Sequence, residues 1–160
     1  MIIQEATVEK VIGEVSSNES YSEEIRGRFN EKQEDYLAYL EREVYSLISD
    51  PEKDLLLFML YALHECILEE KGKVEAIQLH EYFDTEEVMW KMYEEKIKSP
   101  FSERITPFFD LIDEEEALAL VEDLLAEGEA EEDEDLHIDP AGRDVIWNVA
   151  AAFIHVMVKQ

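Results

Sequence analysis

The sequence predicts an all-α protein: a single domain over 1–160, an irregular or orthogonal bundle of six to eight helices. It is organised around a buried central helix at 51–70 and an apolar C-terminal helix at 140–158. Three observations lead there. Leu55 to Leu63 is a run of nine apolar residues. A half-buried strand would alternate and a surface helix would show one stripe, so this run, inside a capped segment, reads as a helix buried on most sides. Residues 140–158 are apolar almost all round, with Asp144, Asn148 and His155 on one line and Ala151 and Ala152 beside it. No glycine-bounded, alternating β-branched run occurs, and no repeat recurs at a fixed period, so neither strands nor a solenoid are required.

The elements follow in order. Ile2, Ile3, Ala6, Val11, Ile12 and Val15 have helical spacing, closed by Gly13 and Ser16–Asn18. Ser20 with Glu23 forms a capping-box pattern. It opens a long helix to about Ile48 with a stripe at Tyr21, Ile25, Phe29, Tyr36, Leu40, Val44 and Leu47, and Gly27 and Asn30 are the candidate break points. Asp50–Pro51 caps the central helix, which stops at Lys71–Gly72. At about 100° per residue, Asp54, Tyr61, Glu65 and Glu69 share one line beside Phe58, the face expected to meet water. A membrane span needs about 20 apolar residues, and His64 and Glu65 interrupt this run too early.

A short segment with Val74, Ile77 and Leu79 ends near Phe83. Asp84 with Glu87 then caps a helix carrying Val88, Met89, Trp90, Met92, Tyr93 and Ile97, broken at Ser99–Pro100. Residues 101–112 read as a short helix starting at Thr106–Pro107, or as an apolar connector. Asp113 with Glu116 caps a helix whose Leu118, Val121, Leu124 and Leu125 face inward until Gly128. An acidic loop fills 129–136, and Asp139–Pro140 caps the last helix.

Composition narrows the function. The hydrophobic share of 46% is that of a folding chain, although the formal net charge is −27, from 14 basic and 41 acidic residues. Phosphate backbones and anionic lipid surfaces repel such a protein, so neither nucleic acid nor a membrane is an expected partner. A basic protein is. Cys66 is the only cysteine, which excludes an internal disulfide and a cysteine-cluster zinc site. With no basic, apolar leader at the N-terminus, the expected location is the cytoplasm.

Chemical motifs are sparse. Of the four histidines only His137 has a glutamate three residues earlier, so paired Glu-x-x-His ligation is not formed. His64–Glu65 lacks the second histidine of a zinc-protease helix, since Leu68 stands there. Asp133, Asp135, His137 and Asp139 alternate as in a calcium loop, but Ile138 and Asp144 occupy the positions that need glycine and glutamate. No Gly-x-Ser-x-Gly turn and no glycine-rich phosphate loop occur. No metal, cofactor or catalytic residue is therefore predicted.

The acidity is asymmetric. Residues 1–80 carry net −10 and residues 81–160 net −17; Asp110 to Asp139 holds 15 acidic residues, and no Lys or Arg lies between Arg104 and Arg143. The expected function is non-enzymatic: docking of a basic protein in an inhibitor, immunity-type or adaptor role. The expected surface comprises Glu114, Glu115, Glu116, Glu122 and Asp123. It continues over the loop as Glu129, Glu131, Glu132, Asp133, Glu134 and Asp135. The alternative is a small-molecule site or enzyme with an apolar pocket between the central and last helices, its polar groups being Tyr61, His64, Asn148 and His155. A third possibility is homo-oligomerisation through Phe101, Phe108 and Phe109. Self-repulsion at net −27 gives a direct check. Sodium chloride is expected to raise the melting temperature, read by circular dichroism at low and high salt. No rise means the acidic groups are already spaced or paired well enough to cost little.

Overall fold

The computed structural model describes residues 1–160 and contains eight α-helices and no strand. They are α1 (Glu5–Ser17), α2 (Glu19–Lys32), α3 (Glu34–Glu43), α4 (Asp50–Lys71), α5 (Leu79–Glu94), α6 (Phe101–Leu111), α7 (Glu115–Ala130) and α8 (Pro140–Val158), with a short 3-10 turn at Tyr45–Leu47. The predicted fold class holds, and the central and last helices fall where the apolar runs place them.

Helix α4 is the hub. It packs against α1, α2, α7 and α8, while α8 packs also against α5 and α7. Ser49, rather than Asp50, is its N-cap: the Ser49 hydroxyl accepts from Glu52 N–H, and the Glu52 carboxylate accepts from Ser49 N–H at 2.8 Å. Gly72, with φ +80°, ends the helix in the left-handed conformation that a Cβ disfavours. Glu52 has a second task. Its other oxygen accepts the N–H of Asp139, the N-cap residue of α8, at 2.8 Å. The Asp139 side chain itself caps nothing. At the far end, Lys71 donates to the carbonyls of Val158 (3.4 Å) and Gln160. The two apolar helices therefore run parallel, tied at both ends. By length and composition α8 could cross a membrane, but 67% of that stretch is buried inside the fold, as in a core helix.

Several boundaries differ from expectation, each for a non-local reason. The predicted long helix divides at Gln33, not at Gly27 or Asn30. The buried Gln33 amide pairs with the extended segment 73–78: Ile77 N–H donates to Oε1 and Nε2 donates to the Glu75 carbonyl, both at 2.8 Å. Asn18, not Ser20, caps α2 by accepting from Tyr21 N–H. Asp84 lies inside α5, because Val74 and Ile77 reach the core from an extended chain whose spacing imitates a helical turn. Helix α6 starts at Phe101 behind Pro100 and keeps Pro107 inside it. Asp113 binds the N-terminal ammonium at 3.2 Å instead of capping α7.

The core joins two aromatic groups through α8. Phe29, Tyr36 and Phe153 pack together near Tyr39 and Tyr82. Trp147 sits among Phe101, Phe108 and Phe109, with ring centroids 5.9, 5.5 and 6.3 Å away. Phe108 is fully buried and the other two partly so. Phe108 is core and Phe101 and Phe109 pack against it, so the three do not form the free apolar surface that the homo-oligomer expectation drew on. Nor is the α4 line uniformly wet. Glu65 is 5% exposed because Arg28 of α2 covers it with a two-pronged pair at 2.7 and 3.1 Å.

The Glu52 tether explains Gly142. A Cβ there would lie 2.1 Å from the Glu52 carboxylate carbon. Gly142→Ala is expected to expel the buried Glu52 carboxylate and strip the part-buried N–H groups of Ser49 and Asp139 of their acceptor, costing about 2–4 kcal/mol. In a Glu52→Ala background the same change should gain about 0.5–1 kcal/mol, the ordinary helix preference for alanine. Urea unfolding of the four proteins reads the sign reversal. A loss in both backgrounds refutes the tether.

Candidate docking surface

The acidic run is built on α7 and the turn after it. Helix α7 buries Ala117, Leu118, Val121 and Leu125, so the intervening carboxylates point away from the core. Glu115 and Asp123 are exposed and Glu116 and Glu122 half-buried. Beyond α7 the chain closes on itself. Ile138 N–H donates to the Gly128 carbonyl at 3.2 Å, and the Ile138 side chain packs on Gly128. Within that closure Asp133 accepts from Asp135 N–H, and the His137 ring meets the Glu131 carbonyl. Glu131, Glu132, Asp133, Glu134 and Asp135 are all exposed. The predicted loop is thus a tethered turn that presents its carboxylates outward.

Two predicted members belong elsewhere. Glu114 is 3% exposed, and its carboxylate accepts the N–H groups of Ile2 (2.7 and 2.9 Å) and Ile3 (2.7 Å). It pins the chain start to α7 and is withdrawn from any partner. Glu129 is half-buried and paired with Arg143 at 3.4 Å. The arginines that flank the base-free stretch are both drawn inward. Arg143 and Arg104 converge on Asp144, at 3.0 and 3.7 Å, beside the Tyr93 hydroxyl. Neither is left to offset the outer carboxylates.

One concavity lies on this face. A cleft of about 310 Å³ opens between the start of α4, the end of α7 and the turn. Pro51, Leu55, Leu124 and Leu136 supply apolar wall, with Leu136 59% exposed. Four carboxylates surround it: Asp54, Glu127, Glu131 and Asp135. None of the four is in an ion pair, and no basic residue lines the cleft. The neighbouring Lys53 turns away, over the Tyr45 ring at 4.8 Å. Asp54, Glu127 and the apolar wall were not among the predicted contacts; Asp54 was readable only as a wet position on α4.

The alternative pocket is not assembled. Tyr61 borders two clefts with Leu57, and His64 borders a third with Lys32 and Lys73. His155 borders a fourth with Asp84 and Leu111, where burial, then Lys159, lowers its pKa. Asn148 is fully buried, donating to the Asp144 carbonyl at 2.9 Å. The α4–α8 interface that was to hold the pocket is filled by side chains of the core. Cys66 is buried, and burial, then Glu69, pushes its thiol up to about 12.

No family model, curated protein or solved structure matches the chain.

His64 is the buried group whose charge matters most near neutral pH. Burial first, then Arg28 and Lys32, push it down from 6.5 to about 4. The folded chain therefore refuses a proton that the unfolded chain accepts. Stability from this group is intact above pH 6.5, falls progressively toward pH 4 and is constant below that. The loss is about 3 kcal/mol at 1.36 kcal/mol per unit. Between pH 6.5 and pH 4 the stability gap between wild type and His64→Gln should move by that order in favour of the variant. Denaturant unfolding across this range checks it; a gap independent of pH refutes it.

Proposed function

We propose that the protein acts by docking a basic segment of another protein on the face formed by α7, the acidic turn and the start of α4. The observation that carries this reading is the cleft of four unpaired carboxylates over an apolar wall. That combination fits a lysine or arginine side chain, whose aliphatic stem lies along apolar surface while its head meets carboxylate oxygens. A single exposed pair contributes little, about 0–1 kcal/mol. The specificity would come from several heads meeting the exposed row Glu131 to Asp135 while one is held in the cleft. The net charge of −27 favours fast encounter with a cationic partner, and salt weakens it. The role is that of an inhibitor or adaptor, with recognition rather than chemistry as its output.

The test uses a fluorescent peptide rich in lysine, arginine and leucine. Anisotropy should show saturable binding to the wild type that weakens with added salt. The variant Asp54→Asn/Glu127→Gln/Glu131→Gln/Asp135→Asn should bind at least about tenfold more weakly, with a flatter salt dependence. Neutralising Glu5, Glu9, Glu19 and Glu23, exposed on α1 and α2, lowers the net charge equally and should cost far less. Equal losses in both variants, or affinity indifferent to salt, overturn the proposal.

A further inference from the structure

On a different part of the surface the sign of the charge reverses. A cleft of about 500 Å³ lies where the ends of α2 and α4 meet the extended segment, lined by Arg28, Glu31, Lys32, His64, Leu68, Lys73 and Val74. Three of the protein's 14 basic residues are gathered here. Arg28 is engaged with Glu65 and Glu24, but Lys32 and Lys73 are in no ion pair, although the chain carries 41 acidic residues. Helix ends account for part of this. Lys32 closes α2 and Lys73 follows the end of α4, where cations complement exposed carbonyls.

Helix ends do not account for His64. It is 1% exposed, and its Nδ1 has no hydrogen-bond partner. Its tautomer follows from Gln33. The Gln33 oxygen accepts from Ile77 N–H, so its nitrogen is the donor. One N–H goes to the Glu75 carbonyl, and the other lies between His64 Nε2 at 3.4 Å and the Met157 sulfur at 4.0 Å. Nε2 is then the acceptor, and the proton of the neutral ring sits on Nδ1. A buried N–H donor without an acceptor costs about 1–3 kcal/mol and calls for an explanation. An acceptor from outside the chain supplies one.

We propose that this cleft binds a small organic molecule carrying an oxyanion, phosphate or carboxylate. Lys32 and Lys73 hold the anionic group, the His64 Nδ1–H donates to one of its oxygens, and Leu68 and Val74 take the apolar body. Lysines serve as point charges and the imidazole as the directional donor.

Three probes separate the contributions: inorganic phosphate, phenyl phosphate and benzyl alcohol. Each is titrated into ¹⁵N-labelled protein while backbone amides and the His64 ring nitrogens are followed. Phenyl phosphate should give saturable shifts at Leu68, Lys73 and Val74 and at His64 Nδ1. Phosphate should reproduce them with lower affinity, and benzyl alcohol should not. Lys32→Gln/Lys73→Gln changes only exposed side chains and should weaken phenyl phosphate by about tenfold. Lys53→Gln/Lys159→Gln, away from the cleft, should leave it unchanged. His64→Phe should weaken phosphate and phenyl phosphate alike. Benzyl alcohol binding as well as phenyl phosphate, unchanged affinity in the Lys32/Lys73 variant, or no saturable shift with phosphate up to tens of millimolar overturns the assignment.

Discussion

The fold depends on one buried carboxylate. Glu52 satisfies the N-cap amide of its own helix and that of α8, 87 residues away. Each amide is an orphan donor that a helix cannot satisfy internally. Sharing one acceptor between them fixes the relative height and direction of the two most apolar helices. Lys71 repeats the arrangement at the opposite end with carbonyls in place of amides. Between the ties, ridges of Leu, Ala and Phe pack without a polar group in charge of register. The glycine at 142 belongs to the same device, since only a residue without Cβ lets the α8 backbone lie against the carboxylate.

The same logic explains how so acidic a chain folds. Its few buried carboxylates are structural acceptors: Glu52 for two caps, Glu114 for the chain start, Glu65 for Arg28. Charge-assisted bonds, from backbone N–H for Glu52 and Glu114 and from the Arg28 guanidinium for Glu65, offset the cost of desolvating each group. Half-buried Asp144, Glu129 and Glu86 are held by arginine or tyrosine, and most of the remaining acids are exposed and repel one another, which is tolerable when the core is continuous. Thirty-seven buried residues form one cluster, reaching from Ile3 to Met157. The two arginines nearest the acidic run neutralise Asp144 and Glu129 near the base of α8, so they stabilise the fold and leave the outer field undiminished.

What sequence could and could not reveal divides along contact distance. The all-α class and the spans of α4 and α8 were readable because an apolar run records burial directly. The stop at Gly72 was readable because a left-handed residue is a local need. The errors concern groups satisfied from far away. Gln33 ends a helix because Ile77 and Glu75 take its amide; Glu65 is dry because Arg28 covers it. Glu114 looked like surface because Ile2 and Ile3, its true partners, stand at the other end of the chain. Of the acidic surface, the run after Leu111 was visible as composition. The cleft was not, since Asp54 and Leu136 meet only in the folded chain.

The two charged clefts share α4 as a wall, and its geometry keeps them apart. Asp54 and Leu55 border the anionic cleft; His64 and Leu68 border the cationic one. Nine to fourteen residues of helix separate these positions, about 14–21 Å at 1.5 Å per residue. Screening at physiological ionic strength acts over about 8 Å. Surface charges at one cleft therefore barely sense those at the other. A helix shorter by half would place four carboxylates within reach of Lys32 and Lys73, and the opposite signs would pair across the surface. The length of the central helix, set by its apolar run and tied at both ends, is what allows one small helical fold to keep an acidic face and a basic hollow unneutralised.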